Sequence, residues 1–242
     1  MKKTSLLLLS IHLALLSSCS ELQHVVNNLP DVIASPDGQL SNTYISNGLK
    51  EALDNGIDKE VSKLATENGF FTNESVKILI PNELQKVDQT LRKIGLDKLA
   101  DEGLKILNRA AEDAVGEAIP IFATAIKEMS IEDAKGLLLG GNSAATNYLK
   151  QKTSTALYQK FNPIIANSLD KVGANQIWKD IITKYNTIPL LNDAQNPDLT
   201  SYVTNESLKG VFKMIAIEEG NIRSKLSSRT SEVLRKVFAL QD

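Results

Sequence analysis

The chain has 242 residues, of which 42% are hydrophobic and 23% are charged, and it carries one cysteine and two histidines. This composition is ordinary for a globular protein and excludes a collagen, a disordered chain and a disulfide-stapled miniprotein. Aromatic residues make up only 5% of the chain, and it holds 13 glycines and 7 prolines. This balance favours helices over a β-sandwich.

The first 18 residues have the layout of a secretory signal. Lys2 and Lys3 form a short positive region, an apolar stretch runs from Leu6 to Leu16, and two serines precede Cys19. The apolar stretch is shorter than the roughly 20 residues that a spanning helix needs. Residues 16–19, Leu-Ser-Ser-Cys, resemble a bacterial lipobox, in which the cysteine is diacylated and becomes the new N-terminus. The resemblance predicts lipid attachment at Cys19, and the alternative is an ordinary signal peptide with a chance cysteine.

The residue after the cysteine bears on the location of the protein. Ser20 stands where a signal for retention in the inner membrane is usually aspartate. By resemblance to Gram-negative lipoproteins, we expect an anchor in the outer membrane and a domain that faces the periplasm. Cleavage before Cys19 leaves 25 basic against 29 acidic side chains, without a dense basic patch. The membrane is therefore an expected partner through acylated Cys19, and nucleic acid is not.

The remainder of the chain lacks the side chains that catalysis and metal binding use most. No histidine or cysteine occurs from Ser41 to Asp242. This excludes Ser–His–Asp and Cys–His catalysis and zinc sites with histidine or cysteine ligands from that part. The chain also has no Walker loop, no Gly-x-Gly-x-x-Gly turn and no calcium loop. We predict no catalytic residue, metal or cofactor, and any enzyme of this sequence would use carboxylate, lysine, tyrosine or serine–lysine chemistry.

Residues 19–40 predict a flexible tether, because asparagine, proline, aspartate and glycine are concentrated there. A coil of this length has ends about 25 Å apart. Helical periodicity dominates residues 41–242, and no second linker divides them. We therefore expect one multi-helix all-α domain over residues 41–242, with at most one short strand or hairpin.

Apolar residues at steps of three and four predict the helices. The clearest stripe covers residues 104–129, and Pro120 inside it predicts a kink or a break. Asn162 and Pro163 predict the start of another helix, as an N-cap and a first-turn proline. Only residues 76–80 have the character of a strand. Further helical stretches are predicted over residues 82–94, 208–215 and 233–238.

The first candidate site is polar and lies beside the 104–129 stripe. Arg109 and Glu112, with Asp113 and Glu117, could hold a polar ligand or supply an acid and a base. The alternative is a set of ion pairs on a solvated helix face, each of which stabilises a helix by only about 0.2–0.5 kcal/mol.

The second candidate site contains Glu218, Glu219, Arg223 and Arg229. Adjacent helical residues point about 100° apart, so the two glutamates cannot by themselves form a facing catalytic dyad. Glu219 and Arg223 can pair across one helical turn, and a second carboxylate such as Glu112 would have to come from another helix. A purely structural network is the alternative.

Two further polar segments are interpreted as helix ends. Gly140 and Gly141 precede Asn142 and Ser143, and exposed amides there could bind an anion. The simpler interpretation is that the glycines end one helix and that Asn142 or Ser143 caps the next. Ser130 with the acid at position 133 matches a capping box.

Several of these segments together resemble a family of secreted bacterial proteins known only as domain of unknown function 4197. The resemblance implies a helical envelope domain and supplies no activity, ligand or catalytic residue. Two places depart from the expected pattern, since Leu79 and the stretch before Arg229 lack expected prolines. The matching segments are Gly48–Leu53, Asn108–Glu112, Asp133–Lys135, Gly140–Gly141 with Ala144–Thr146, Tyr202–Thr204, Phe212–Ala216 with Glu218–Glu219, then Arg223, Arg229–Thr230 and Lys236–Phe238.

The sequence leaves three functions open. The leading hypothesis is an envelope-anchored lipoprotein whose non-catalytic helical domain binds a polar ligand or an envelope partner. The alternative is a carboxylate-dependent hydrolase acting on cell-wall glycan, which requires an open groove and two carboxylates about 5–9.5 Å apart. A lipid carrier would need an apolar cavity. An open pocket at the candidate residues would indicate a polar ligand, whereas a closed, ion-paired cluster would favour a scaffold that uses its outer surface.

Overall fold

A computed structural model describes residues 40–186 and 198–242. These residues form the predicted all-α domain, and no β-strand occurs among them. The predicted signal and nearly all of the predicted tether, residues 1–39, lie outside the described ranges. Within those ranges no helix combines the length and the apolar character needed to cross a membrane. The helices are α1 (Asn42–Leu64), α2 (Gln85–Lys93), α3 (Asp97–Val115), α4 (Ala118–Glu128), α5 (Ile131–Leu138), α6 (Ala144–Lys171), α7 (Ala174–Asn186), α8 (Leu199–Ser224) and α9 (Glu232–Phe238).

Two long helices, α6 and α8, lie at the centre of the domain and run antiparallel. Thr146 near the start of α6 contacts Glu219 near the end of α8, and Asn162 contacts Thr204 at the other end. At about 1.5 Å per residue, α6 is about 42 Å long. Helices α1 and α3 pack against this pair and complete the core.

The predicted break in the 104–129 stripe is present. α3 ends at Val115 and α4 begins at Ala118, so Pro120 falls in the first turn of α4. A proline is tolerated there because the first N–H groups of a helix have no partner within the helix. The apolar stripe therefore continues as two helices, with Ala111, Val115 and Phe122 fully buried.

The predicted helix start at Asn162 and Pro163 is wrong. α6 runs from Ala144 to Lys171 with Pro163 inside it. Phe161 and Ile165 on either side are fully buried. Their burial keeps the helix continuous even though an interior proline removes one hydrogen bond and costs about 3 kcal/mol. Packing over the whole helix outweighs the local signal.

Residues 76–80 have a strand-like pattern, but they form no strand in the described ranges. Instead, the side-chain amide of Asn108 on α3 binds both backbone groups of Ile78. The Ile78 N–H donates to Asn108 Oδ1 at 2.8 Å, and Asn108 Nδ2 donates to the Ile78 carbonyl at 2.8 Å. One buried asparagine thus takes the place of a neighbouring strand.

Candidate functional site

Glu112 on α3 is buried and binds the backbone of the loop that follows α1. Its carboxylate accepts hydrogen bonds from the N–H groups of Asn68, Phe70 and Phe71 at 3.1, 3.1 and 3.4 Å. The loop turns tightly, since Asn68 has a φ of 64°. A Cβ at Gly69 would lie 2.3 Å from the Lys63 carbonyl oxygen. The Glu112 carboxylate therefore holds this loop against α3.

Arg109 lies at the solvent edge of the same cluster. Its side chain is 55% exposed, and it pairs with Asp113 at 3.0 Å and with Glu112 at 3.7 Å. An ion pair this exposed contributes about 0–1 kcal/mol. The first candidate site is thus one buried structural carboxylate with an exposed arginine beside it, and no open pocket separates them.

Glu219 on α8 caps the start of α6. Its carboxylate accepts hydrogen bonds from the N–H groups of Ala145 and Thr146 at 3.1 and 2.8 Å and from the Thr146 hydroxyl at 2.6 Å. The first N–H groups of a helix have no partner within it and attract negative charge. Ser143 directly before α6 makes no side-chain capping bond. The predicted cap by Asn142 or Ser143 is therefore wrong, because the Glu219 carboxylate, from another helix, accepts the hydrogen bonds of these first N–H groups.

Arg223 caps the end of α5 and pairs with Glu219. Its guanidinium donates to the carbonyls of Leu137 and Leu138 at 2.8 and 2.9 Å. The same group donates to Glu219 Oε1 at 3.0 and 2.8 Å through Nε and Nη2. Both side chains are 5% exposed. One buried ion pair thus joins the end of α5, the start of α6 and the last turns of α8.

Arg229 is buried and closes the end of α8. It donates to the carbonyls of Ile222 and Arg223 at 3.1 and 2.9 Å, and it binds both carboxylate oxygens of Asp242 at 2.7 and 2.9 Å. Its hydrogen bond to Asp242 raises the pKa of Arg229 and lowers the pKa of Asp242. The guanidinium has no face open to a ligand.

Glu218 points to a different neighbour from Glu219. It binds Lys59 of α1 at 2.6 Å, and Lys59 also lies 3.6 Å from buried Glu60. The hydrogen bond to Glu218 is the main cause that raises the pKa of Lys59. Glu112 makes no hydrogen bond or ion pair with Glu218 or Glu219 in the described ranges. The carboxylates therefore do not combine into an acid–base pair.

The candidate residues of α8 line a small cavity. Its volume is about 20 Å³, and Glu218, Glu219 and Arg223 share its wall with apolar side chains. A cavity of this size holds about one water molecule. Five of the six predicted site residues are therefore buried and paired, and Arg109 is paired at the exposed edge. No group of three or more histidine, cysteine, aspartate or glutamate residues in the described ranges could hold a metal ion.

A much larger opening lies between α6 and α8, and no sequence pattern predicted it. This α6–α8 groove has a volume of about 1100 Å³. Its lining includes amide, ammonium and carboxylate groups together with aromatic side chains. The side chains that define it are Asn147, Lys150 and Ser154 of α6 and Asn205, Lys209 and Lys213 of α8.

Trp178 of α7 borders the α6–α8 groove and carries an unsatisfied donor. The residue is 4% exposed, and its indole N–H has no hydrogen-bond acceptor in the described part of the chain. A buried donor without an acceptor costs about 1–3 kcal/mol.

Comparison with known proteins assigns the chain to a family. The family model described as a protein of unknown function, DUF4197, matches residues 39–239. The chain therefore belongs to this family, and the match covers all the candidate site residues except Cys19. No curated protein and no solved structure matches the chain.

Proposed function

We propose that the protein is an envelope lipoprotein, anchored through Cys19 in the outer membrane, whose helical domain binds a polar ligand or an envelope partner without catalysing a reaction. The α6–α8 groove is the observation that carries the binding role. It is open, and it presents donor groups that are free to change partners.

The rim of the groove supports a ligand that carries oxygen acceptors. The Lys150 ammonium group makes no hydrogen bond or ion pair in the described ranges, so it is available to a ligand. Lys209 pairs with Glu206 at 2.6 Å, and Lys213 donates to the Ser75 carbonyl at 2.7 Å. These ammonium groups favour a ligand with oxygen acceptors and some negative charge.

No observation in the described part of the chain favours the hydrolase. A two-carboxylate mechanism needs a free acid beside a free base or nucleophile. In the groove, Glu206 is engaged by Lys209, and the Asp198 carboxylate caps α8 by accepting from the Ser201 N–H at 2.8 Å. Turnover of cell-wall glycan fragments by the purified protein would contradict the proposal.

Native mass spectrometry of protein purified from the envelope tests the binding role. We expect an additional mass on the wild-type protein that is lost or reduced in Lys150→Ala. Lys152→Ala is the matched control, because this lysine lies on the same helix about 200° away from Lys150 and should keep the additional mass. An unchanged adduct on Lys150→Ala would exclude the groove as the site. A bare wild-type mass together with no partner crosslinked at Lys150 would contradict the binding role itself.

The anchor is tested separately by the mass of the N-terminal peptide. We expect the peptide to begin at Cys19 and to carry acyl chains, and we expect Cys19→Ser to leave the protein unprocessed and unacylated. A mature N-terminus other than Cys19, or an unmodified thiol in wild-type protein from the envelope, would contradict the anchor.

A further inference from the structure

Three exposed leucines lie at one end of the domain and form what we call the leucine face. Leu139, Leu226 and Leu240 are 60%, 68% and 47% exposed. They come from three separate segments, after α5, after α8 and after α9. Large apolar side chains that gather in one exposed place commonly mark a contact with a partner or a membrane.

The leucines surround the buried arginine network described above. Leu139 follows the Leu138 carbonyl, which accepts hydrogen bonds from Arg223 and from the Gln241 side chain next to Leu240. The Arg229 N–H donates to the Leu226 carbonyl at 3.1 Å. Since these bonds fix all three segments to one hub, the leucine face is a rigid feature of the fold.

The chain enters the domain at this same end. The first turns of α1 pack on α9 so closely that a Cβ at Gly48 would lie 2.5 Å from a methyl of Val237. Helix α9 leads directly to Leu240. The start of α1, and with it the connection to residues 19–39, is therefore beside the leucine face.

The opposite end of the domain is formed by the turn between α2 and α3. Asp113 of α3 accepts a hydrogen bond from Ser168 at 2.8 Å, and Glu117 pairs with Lys160 at 3.1 Å, so α3 runs antiparallel to α6. The start of α3 thus extends beyond the end of α6. The leucine face and the α2–α3 turn are separated by at least the length of α6, about 42 Å.

We propose that the leucine face rests on the lipid bilayer that holds the acyl chains of Cys19. The inference rests on the proposed anchoring at Cys19. The tether that the sequence of residues 19–39 predicts would span about 25 Å, so an anchor at Cys19 would keep the near end of the domain, rather than the α2–α3 turn, at the membrane surface. Three partly inserted leucines then attach the domain weakly to the membrane, in addition to the lipid anchor.

The charges at this end are compatible with a lipid surface. Lys135, Lys225 and Arg235 are exposed and can approach lipid phosphates. The acidic side chains Asp133, Glu232 and Asp242 each bond a partner within the domain, namely Ser130, Lys236 and Arg229.

Fluorescence quenching in vesicles tests the contact. The chain from Cys19 is coupled through its single thiol to maleimide lipid, in vesicles of phosphatidylethanolamine and phosphatidylglycerol with brominated acyl chains. Leu226→Trp is compared with Leu96→Trp at the α2–α3 turn, both in a Trp178→Phe background. For a side chain buried at the level of the interface, we expect the emission of Leu226→Trp to fall by roughly half, while that of Leu96→Trp stays unchanged.

Two outcomes would overturn the proposal. One is the absence of quenching in Leu226→Trp, and the other is equal quenching at both positions. Adding Leu139→Ser and Leu240→Ser to Leu226→Trp should restore most of the emission, with circular dichroism confirming that the helices persist. Because the coupling is chemical, a negative quenching result would not bear on the acylation of Cys19 in cells. An unmodified Cys19 in cells would likewise not bear on the quenching result.

Discussion

The buried ionic clusters and the α6–α8 groove use the same kinds of side chain for different purposes. In the clusters, Glu112, Glu219 and Arg223 bind backbone groups at helix ends and loops, and every partner is fixed. In the groove, the Lys150 ammonium group and the Trp178 indole N–H have no partner among the residues that the structure describes. This difference shows that charge alone does not identify a binding site in this protein. Groups that the fold has left unsatisfied are the better guide.

The largest expected effect is on stability and comes from Arg223→Ala. The change leaves the Glu219 carboxylate buried without its arginine and removes one donor from each of the Leu137 and Leu138 carbonyls. Breaking a buried ion pair in this way costs about 3–5 kcal/mol. Urea denaturation followed by circular dichroism measures the loss. A free energy of unfolding within about 0.5 kcal/mol of wild type, the range of ordinary surface substitutions, would show that the cluster is not structural.

Glu112→Gln is expected to have the next largest effect. The glutamine keeps one acceptor oxygen but turns its amide group towards backbone N–H donors. We expect a loss of about 1–3 kcal/mol, since buried donors lose their acceptor. Hydrogen exchange at the Phe70 amide should also be faster in this variant than in wild type. Arg109→Ala serves as the comparison and should change stability by at most about 0.5 kcal/mol, because its ion pairs are exposed. Equal effects of the two changes would contradict the division between buried cluster and exposed edge.

The ion pair between Lys59 and Glu218 should give a smaller effect that depends on pH. The pKa of Lys59 is raised above its ordinary 10.5, mainly by its hydrogen bond to Glu218. A raised lysine pKa stabilises the fold below the unfolded pKa, and the stabilisation disappears as the pH rises through the folded pKa. The stability difference between wild type and Lys59→Met should therefore be constant near pH 8 and vanish above 10.5. A stability difference between the two proteins that grows as the pH rises would contradict this prediction.

Substitutions in the groove should have the smallest effect on stability. Asn205→Ala removes an exposed amide that donates only to the Ser201 carbonyl within its own helix. We expect the free energy of unfolding to stay within about 0.5 kcal/mol of wild type, as for other surface positions. Any additional mass seen in native spectra should decrease. A large loss of stability with unchanged binding would place Asn205 among the structural residues.

Local sequence signals predicted much of the fold. The apolar stripes gave the helices, Pro120 marked the break between α3 and α4, and Ser130 with Asp133 forms the predicted capping box. Each of these signals depends on residues within about four positions. The same local reasoning was wrong at Pro163, because burial of Phe161 and Ile165 against other helices outweighs the proline.

The roles of the candidate residues could not be predicted in the same way. Glu219 caps a helix that begins more than 70 positions earlier, and Asn108 binds Ile78 across 30 positions. At their own positions they differ little from solvated residues of an amphipathic helix. Only the packing of α3 against the 68–78 segment, and of α8 against the start of α6, decides what they bind. The α6–α8 groove arises from two helix surfaces and has no linear signal.

The most direct test of this account is the free energy of unfolding of Glu219→Gln measured beside that of Glu206→Gln. Both glutamates lie on α8, one in the buried cluster and one at the groove. We expect Glu219→Gln to lose about 3 kcal/mol or more, because it removes the charge from a buried, paired carboxylate, and Glu206→Gln to stay within about 0.5 kcal/mol of wild type. Equal stability of the two variants would contradict the claim that the predicted site residues hold the fold together.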